Sequence, residues 1–144
     1  MAKLSAYNYC LYLLSKREHS VVQITQKLKL RETDEVDIEN CLAKLQANKL
    51  QCDDRFCESM IRYYSGQLKG EQWIKHALKQ AGIESYKIEN AFMQADVNWL
   101  ENLEKLIHKK YGEIECLDFQ EKQKRQRYLL TKGFTYSQIN EVTS

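Results

Sequence analysis

Five cations crowd one stretch of this chain. Lys122, Lys124, Arg125, Arg127 and Lys132 follow one another on one expected helix, with Glu121 the only acid inside it. Side chains of this kind neutralise phosphate oxyanions in a sequence-independent, salt-sensitive way. The other reading of the same pattern is a solvated outer helix face, the fate of most charge runs. At about 100° per residue, Lys122, Arg125 and Lys132 fall along one flank of an apolar edge set by Phe119, Leu129 and Leu130. Lys124 and Arg127 fall on the outer side. Lys105, Lys109 and Lys110 extend the group from the preceding stretch, and Lys75 and Lys79, spaced i, i+4, mark an outer helix face. Lys27 stands at the equivalent place earlier in the chain. The net charge of +2 adds nothing to the argument for a polyanionic partner, so the distribution of charge has to carry it.

Other chemistries find less support. The phosphate loops GxxxxGK[ST] and GxGxxG are absent. The histidines, at 19, 76 and 108, are far apart and none sits in HExxH or HxE spacing. His19 precedes a helix cap and His76 is expected to face outward, so surface roles are expected for both. The carboxylates fall where helix caps and solvated faces need them. The chain is read as a non-enzyme, with no cofactor and no metal. Five cysteines, Cys10, Cys41, Cys52, Cys57 and Cys116, form no CxxC pair, which points to reduced thiols in the cytoplasm rather than a disulfide framework. Cys10 and Cys41 lie on apolar helix faces, where a free thiol behaves as a small hydrophobe. No apolar run approaches the roughly 20 residues that span a bilayer. The start, MAKLSAYNYC, has no signal-peptide core.

The elements that position these groups are helices. The chain has no proline and five glycines, as a mostly helical chain would. Ile88-Glu89-Asn90 repeats Ile38-Glu39-Asn40, and Ile88, Ala91, Phe92 and Ala95 repeat the offsets of Ile38, Cys41, Leu42 and Leu45. Ile24 and Leu28 likewise become Ile74 and Leu78, and Leu78, Gly82 and Ile88 return as Leu129, Gly133 and Ile139. The i, i+3, i+4, i+7 spacing lines one helix face. A register kept over successive helices marks a tandem repeat. The expected fold is all-α: three three-helix repeats, residues 1–52, 53–97 and 98–144, packed into an elongated, curved body.

Local signals place the helices. Tyr7, Cys10, Leu11 and Leu14 are the expected buried face of the first, and Ser20 with Gln23 forms a capping box for the second. Thr33 or Asp34 caps the third. Asp53 and Asp54 sit where a helix N-terminus favours negative charge, ahead of an expected stripe of Phe56, Met60, Tyr63 and Tyr64. Gly70 opens the fifth helix and Gly82 closes it in the left-handed conformation. Trp99, Leu103, Leu106 and Ile107 line the seventh, which closes near Gly112. Asp118 and Glu121 suggest a second capping box, Gly133 a helix end, and Thr135 the start of a last short helix.

In this order, several blocks resemble the RecX family of bacterial regulators of the RecA recombinase. They are Arg17-Glu18-His19-Ser20 with Gln26-Lys27-Leu28, Asp53-Asp54-Arg55-Phe56, and Gly70, Ile74 and Leu78 with Gly82-Ile83. Asp96-Val97-Asn98-Trp99 and Lys110-Tyr111-Gly112-Glu113 follow, then Glu121-Lys122, Gln126-Arg127-Tyr128-Leu129-Leu130 and Gly133-Phe134. Together they cover nearly the whole chain. The chain departs from the family at Gln51 and Cys52, where a hydrophobic residue and an acid are usual, and at Tyr64 and Gly66, where arginines are common. Arg62 and Lys69 stand close enough to take over part of that basic surface.

The resemblance implies a protein that binds the RecA filament on single-stranded DNA, and a cytoplasmic monomer is expected. It further implies restraint of strand exchange, ATP hydrolysis and RecA-promoted LexA cleavage, in DNA repair and the SOS response. It turns the basic residues from solvated faces into candidate contacts. The aromatics Tyr63, Tyr64 and Trp73 become candidate stacking groups, at least two of which are expected to pack in the core. The alternatives are a helical nucleic-acid-binding protein that needs no RecA and a purely structural helical scaffold. No membrane contact is expected.

Overall fold

The structure, a computed structural model, describes residues 4–112 and 117–143. Among these residues there are nine helices and no strand. The first three are α1 (Ala6–Lys16), α2 (Val21–Leu30) and α3 (Glu35–Ala47). α4 (Asp53–Gly66), α5 (Glu71–Gln80) and α6 (Ser85–Gln94) follow. The last are α7 (Trp99–Tyr111), α8 (Phe119–Thr131) and α9 (Tyr136–Thr143). The all-α fold expected from periodicity is therefore present. The chain divides into two compact units, Met1–Ser59 with Leu78–Ala91, and Met60–Ala77 with Phe92–Ser144.

In the first unit Cys10, Ile24, Leu28, Ile38, Cys41 and Leu45 form the buried core, flanked by Ala6, Tyr7, Tyr9, Leu11, Leu14 and Leu42. Burying each large aliphatic side chain contributes roughly 1.5–3 kcal/mol. The starts of the helices satisfy their free amides as the sequence suggests. Ser5 Oγ accepts from Asn8 N at 3.1 Å and Asp34 Oδ1 from Asp37 N at 2.9 Å. Ser20 and Gln23 complete the reciprocal box. Ser20 Oγ accepts from Gln23 N at 3.1 Å, and Gln23 Oε1 accepts from Ser20 N at 3.3 Å.

A polar knot lies beside this box. Asp53 Oδ1 accepts from Val21 N at 3.0 Å and from Gln51 Nε2 at 2.9 Å. The same Gln51 amide donates to His19 O at 3.2 Å. Gln51 is thus buried and bonded. His19, expected at the surface, is only 3% exposed, with Nδ1 3.0 Å from Arg17 O. It is drawn inward because the loop before α2 must place its carbonyl under Gln51. Burial, more than the charges around it, pushes the His19 pKa below its ordinary value.

The second unit is built on Leu103, Leu106, Ile107, Leu129, Phe134 and Ile139, with Leu68, Tyr111, Tyr128, Leu130 and Val142 packed against them. Asn98 Oδ1 caps α7 through Glu101 N at 3.1 Å, and Gly112 closes it with φ +76°. Asp118 Oδ1 caps α8 through Glu121 N at 2.8 Å. The Glu121 carboxylate does not return to close a box; it turns along the helix to Arg125 Nε at 3.1 Å. A reciprocal box forms instead at α9, between Thr135 and Gln138.

Both units contain the same repeat-to-repeat joint. In the first, Gly82 has φ +83° and a Cβ there would run into the Val22 side chain, while Ser20 Oγ donates to Ala81 O at 2.7 Å. In the second, Gly133 has φ +100° and a Cβ there would lie 2.5 Å from Trp73 N and Cβ, while Gly70 N donates to Lys132 O at 2.7 Å. The shift that relates Gly82 to Gly133 also carries Val22 onto Trp73 and Ala81 onto Lys132. Only a residue that tolerates positive φ and lacks a side chain fits the end of the second helix of a repeat at this joint.

Four expected faces are corrected. On α1 Leu13 is buried, whereas Leu11 and Leu14 are half-exposed; a helix with Tyr9, Leu11, Tyr12, Leu13 and Leu14 close together does not mark one face by residue type. On α4 the buried line runs through Phe56, Cys57, Ile61 and Ser65, and Tyr63 is 58% exposed. Cys57, Ile61 and Ser65 follow an i, i+4, i+8 line on which small side chains give close packing. Ala95 lies beyond the end of α6, so the copied apolar set ends one position early. Phe119, expected at the core edge, is 72% exposed at the first residue of α8.

Candidate anion-binding site

The basic residues of the second unit do not form one even surface. Five of them lie over aromatic rings, Lys75 over Phe92 and the other four over Trp73, Tyr111 and Tyr128. Lys69 follows α4 after a turn in which Leu68 takes φ +63°, and Lys69 N donates to Tyr64 O at 3.0 Å. This turn aims the Lys69 ammonium over the Trp73 ring, 4.9 Å from its centroid. Tyr64 packs on Trp73 with centroids 4.8 Å apart, and Tyr63 meets Tyr64 edge-on at 5.0 Å. Lys132 is the C-cap of α8, and its Nζ lies 5.5 Å from the centre of Tyr128, which Lys110 from α7 also covers at 4.8 Å. Tyr111 meets Tyr128 edge-on at 6.1 Å and carries the Arg125 guanidinium at 4.1 Å. Ammonium and guanidinium groups are drawn to such ring faces by the quadrupole, and the rings fix the cations without neutralising them.

Lys132 stands close enough to Lys69 to act on its charge. The Lys69 pKa lies below its ordinary value, first because burial disfavours the charged form and then because Lys132 stands beside it. The Tyr111 hydroxyl is pushed up, chiefly by burial and against the pull of Arg125. The pair is held by main chain: besides Gly70 N to Lys132 O, Gln72 N donates to Gly133 O at 3.0 Å. Lys69-Gly70 and Lys132-Gly133 are thus two Lys-Gly corners set against each other.

The remaining expected contacts are scattered. Lys109, Lys122, Lys124 and Arg127 are exposed in the second unit, and Arg62 is exposed on α4. Arg125 is paired with Glu121 at 3.1 Å, and Lys105 with Glu101 at 3.3 Å. Lys75, expected on an outer face, is half-buried: it lies 3.5 Å from Glu71 and 5.3 Å from the centre of Phe92. Phe92 is stacked on Trp99 at 5.8 Å. That ring is incompletely buried, so the lysine stem covers it while the ammonium stays at the surface. Lys27 and Lys79 are exposed in the first unit. Nothing in the sequence marks Tyr111 and Tyr128 as cation platforms, and the Lys-Gly dipeptide recurs at both corners without showing that they meet.

No group of three or more His, Cys, Asp or Glu among the described residues is arranged to hold a metal. His76 and His108 are exposed, as expected for His76. Cys10, Cys41, Cys52 and Cys57 are free thiols, and Cys116 lies outside the described residues. None of the helices among the described residues is long and apolar enough to cross a membrane.

Comparison with known proteins places the three-helix segments in one family. Residues 6–45 match the first three-helix domain of RecX, residues 53–91 the second and residues 96–143 the third. A regulatory protein RecX of Actinobacillus pleuropneumoniae is 37% identical over 134 residues, covering 93% of this chain and 87% of its own. One from Legionella pneumophila is 33% identical, covering 95% and 91%. A crystal structure of regulatory protein RecX is similar with a TM-score of 0.80 at 30% identity, over 95% of this chain and 70% of that one. The crystal structure of RecX from Lactobacillus salivarius gives 0.75 at 27% identity, over 95% and 91%.

Proposed function

Since the chain belongs to the RecX family, we propose that it regulates RecA by binding the filament that RecA forms on single-stranded DNA, and that it restrains strand exchange, ATP hydrolysis and cleavage of LexA. The observation that carries this reading is the match of all three family domains, in order, to a chain whose relatives are named regulatory proteins. The gathering of Lys69, Lys110 and Lys132 on aromatic rings supports it, because a filament on DNA offers phosphate charge and exposed bases.

In this reading the repeats 1–52, 53–97 and 98–144 act as successive contact modules of a cytoplasmic monomer that takes part in DNA repair and the SOS response. Lys27, Arg62, Lys79, Lys109, Lys122, Lys124 and Arg127 supply further contacts, with Lys75 and Arg125 beside them in their ion pairs. Several weak contacts made together give an avidity that none has alone.

The test is the ATPase of RecA on single-stranded DNA with the chain titrated in. Inhibition is the expected result, and steady hydrolysis at excess chain would remove the regulator reading. The cation–aromatic cluster also suits a nucleic-acid binder that needs no RecA. A gel shift separates the two: tighter retention of RecA-coated strand than of bare strand supports the regulator, and equal retention at physiological salt supports the alternative.

A further inference from the structure

We propose that the two Lys-Gly corners form a discrete phosphate-binding site, in which the Lys69 and Lys132 ammonium groups close on one phosphoryl oxyanion and Lys110 stands by over the same Tyr128 ring as Lys132. The inference rests on the regulator reading for the source of the phosphate, a single nucleic-acid strand, and on geometry for the chemistry.

Two lysines on flexible four-carbon stems ordinarily part to let water solvate each ammonium. Here they are brought together from helices distant in sequence, and their main-chain anchors cannot separate. Gly70 N is bonded to Lys132 O at 2.7 Å, Gln72 N to Gly133 O at 3.0 Å, and a Cβ on either glycine would collide with the opposite corner. Among the described residues neither ammonium has a carboxylate partner, although Lys75, Lys105 and Arg125 each have one. Each rests instead on a ring face, Lys69 on Trp73 and Lys132 on Tyr128. The pair is therefore held together at a half-buried position, with no carboxylate partner among the described residues. Burial first, and the neighbouring Lys132 after it, hold the Lys69 pKa below its ordinary value.

An oxyanion between the two reverses the sign of the interaction, turning one repulsion into two charge-assisted hydrogen bonds. A phosphate suits the place better than a carboxylate, because it presents oxygens in several directions and Lys110 supplies a third cation 4.8 Å from the Tyr128 ring. A strand suits it better than a free ion, because the exposed Tyr63 ring continues the aromatic row that starts at Trp73, and bases stack on such rings.

The chain has two tryptophans, so Trp99→Phe leaves Trp73, under Lys69, as the sole reporter. In that background, inorganic phosphate, pyrophosphate and a thymidine oligonucleotide of roughly a dozen nucleotides are titrated against Trp73 fluorescence with no RecA present. The expected result is a saturable change with the oligonucleotide tightest. Lys69→Gln and Lys132→Gln should each weaken binding about tenfold, the scale of one charge-assisted bond, and each should lower the salt dependence by about one unit of log–log slope. Lys29→Gln, on α2, should change neither. Without anion, Lys69→Gln should melt higher than the parent, and pyrophosphate should raise the melting point of the parent and not of the double variant.

Unchanged binding in both glutamine variants overturns the site. Poly-glutamate binding as tightly as the oligonucleotide would make it a protein contact and overturn the phosphate assignment. Phosphate binding without oligonucleotide binding would overturn the strand as source. Because RecA is absent, these outcomes stand apart from the ATPase test, and either can fail alone.

Discussion

Gly70 and Gly133 face each other with no side chain between them. A Cβ on Gly70 would lie 2.5 Å from the Gly133 oxygen, and one on Gly133 would lie 3.0 Å from the Gly70 oxygen. The two corners can therefore approach only as bare backbone, and the lysines that precede them are brought together as a consequence.

The glycines separate collision from backbone strain. Gly112 has φ +76° and open space around it. Alanine at that position should therefore cost roughly 1 kcal/mol, from conformational strain alone. Gly70 is not at positive φ but is crowded, so Gly70→Ala should cost about 1–3 kcal/mol from overpacking. Gly133 combines both and should lose about 2–5 kcal/mol. Gly66, helical and uncrowded, should gain a few tenths to about 1 kcal/mol as alanine. Urea unfolding midpoints check the order; a Gly133→Ala chain as stable as the parent would contradict the joint.

Ser20 serves two helices. It caps α2 and donates to Ala81 O at 2.7 Å, so Ser20→Ala removes a cap and leaves a buried carbonyl without its donor. The expected loss is about 2–4 kcal/mol, against about 1 kcal/mol for Asp34→Ala, whose side chain only caps α3. Thermal melts of the two variants, scored against the parent, give the comparison.

Acid should weaken the fold through His19. Its pKa is lowered in the folded chain, so the unfolded chain takes up the proton first. Stability should be whole above about pH 6.5, decline as pH falls below the ordinary histidine value, and level off below the folded pKa. His19→Gln should flatten that part of the curve. A parent whose denaturant midpoint is constant between about pH 7 and pH 5 while the variant's is not would reverse the assignment.

Thiol reactivity should follow burial. Cys10 and Cys57 are fully buried, and burial pushes each thiol pKa up to about 11. At pH 8 only about one such group in a thousand would be thiolate even if reached. Among the described cysteines, Cys52 is half-exposed and should be alkylated first, with Cys10 and Cys57 labelled only on unfolding. Peptide mass mapping after brief iodoacetamide treatment reads the order directly.

Much of the scaffold was legible because helix periodicity and capping are local. Ile24 and Leu28, Ile38 with Cys41 and Leu45, and Leu103 with Leu106 and Ile107 are all buried as their spacing predicts, and the Ser20–Gln23 box is present. On α1 three leucines of one size differ in burial, and elsewhere size is a poor guide to it. Tyr63 and Phe119 are large and exposed, while Cys57, Ser65 and His19 are small or polar and buried, because what they touch lies far away in sequence. The candidate site was legible as a charge run on α8 and as separate cations elsewhere, Lys69 and Lys110 among them. Its centre depends on Lys69 and Lys132 meeting from helices far apart along the chain, which no local spacing encodes.

The joint written in peptide groups has a consequence for ancestry. One copy uses the Ser20 hydroxyl and the other the Gly70 amide to grip the same kind of carbonyl, so the grip survived while its chemistry changed. Heredity need guard only a bare α-carbon at one end and some donor at the other. The outward residues of each copy are then at liberty to specialise, and a duplicated segment arrives already able to dock on its parent.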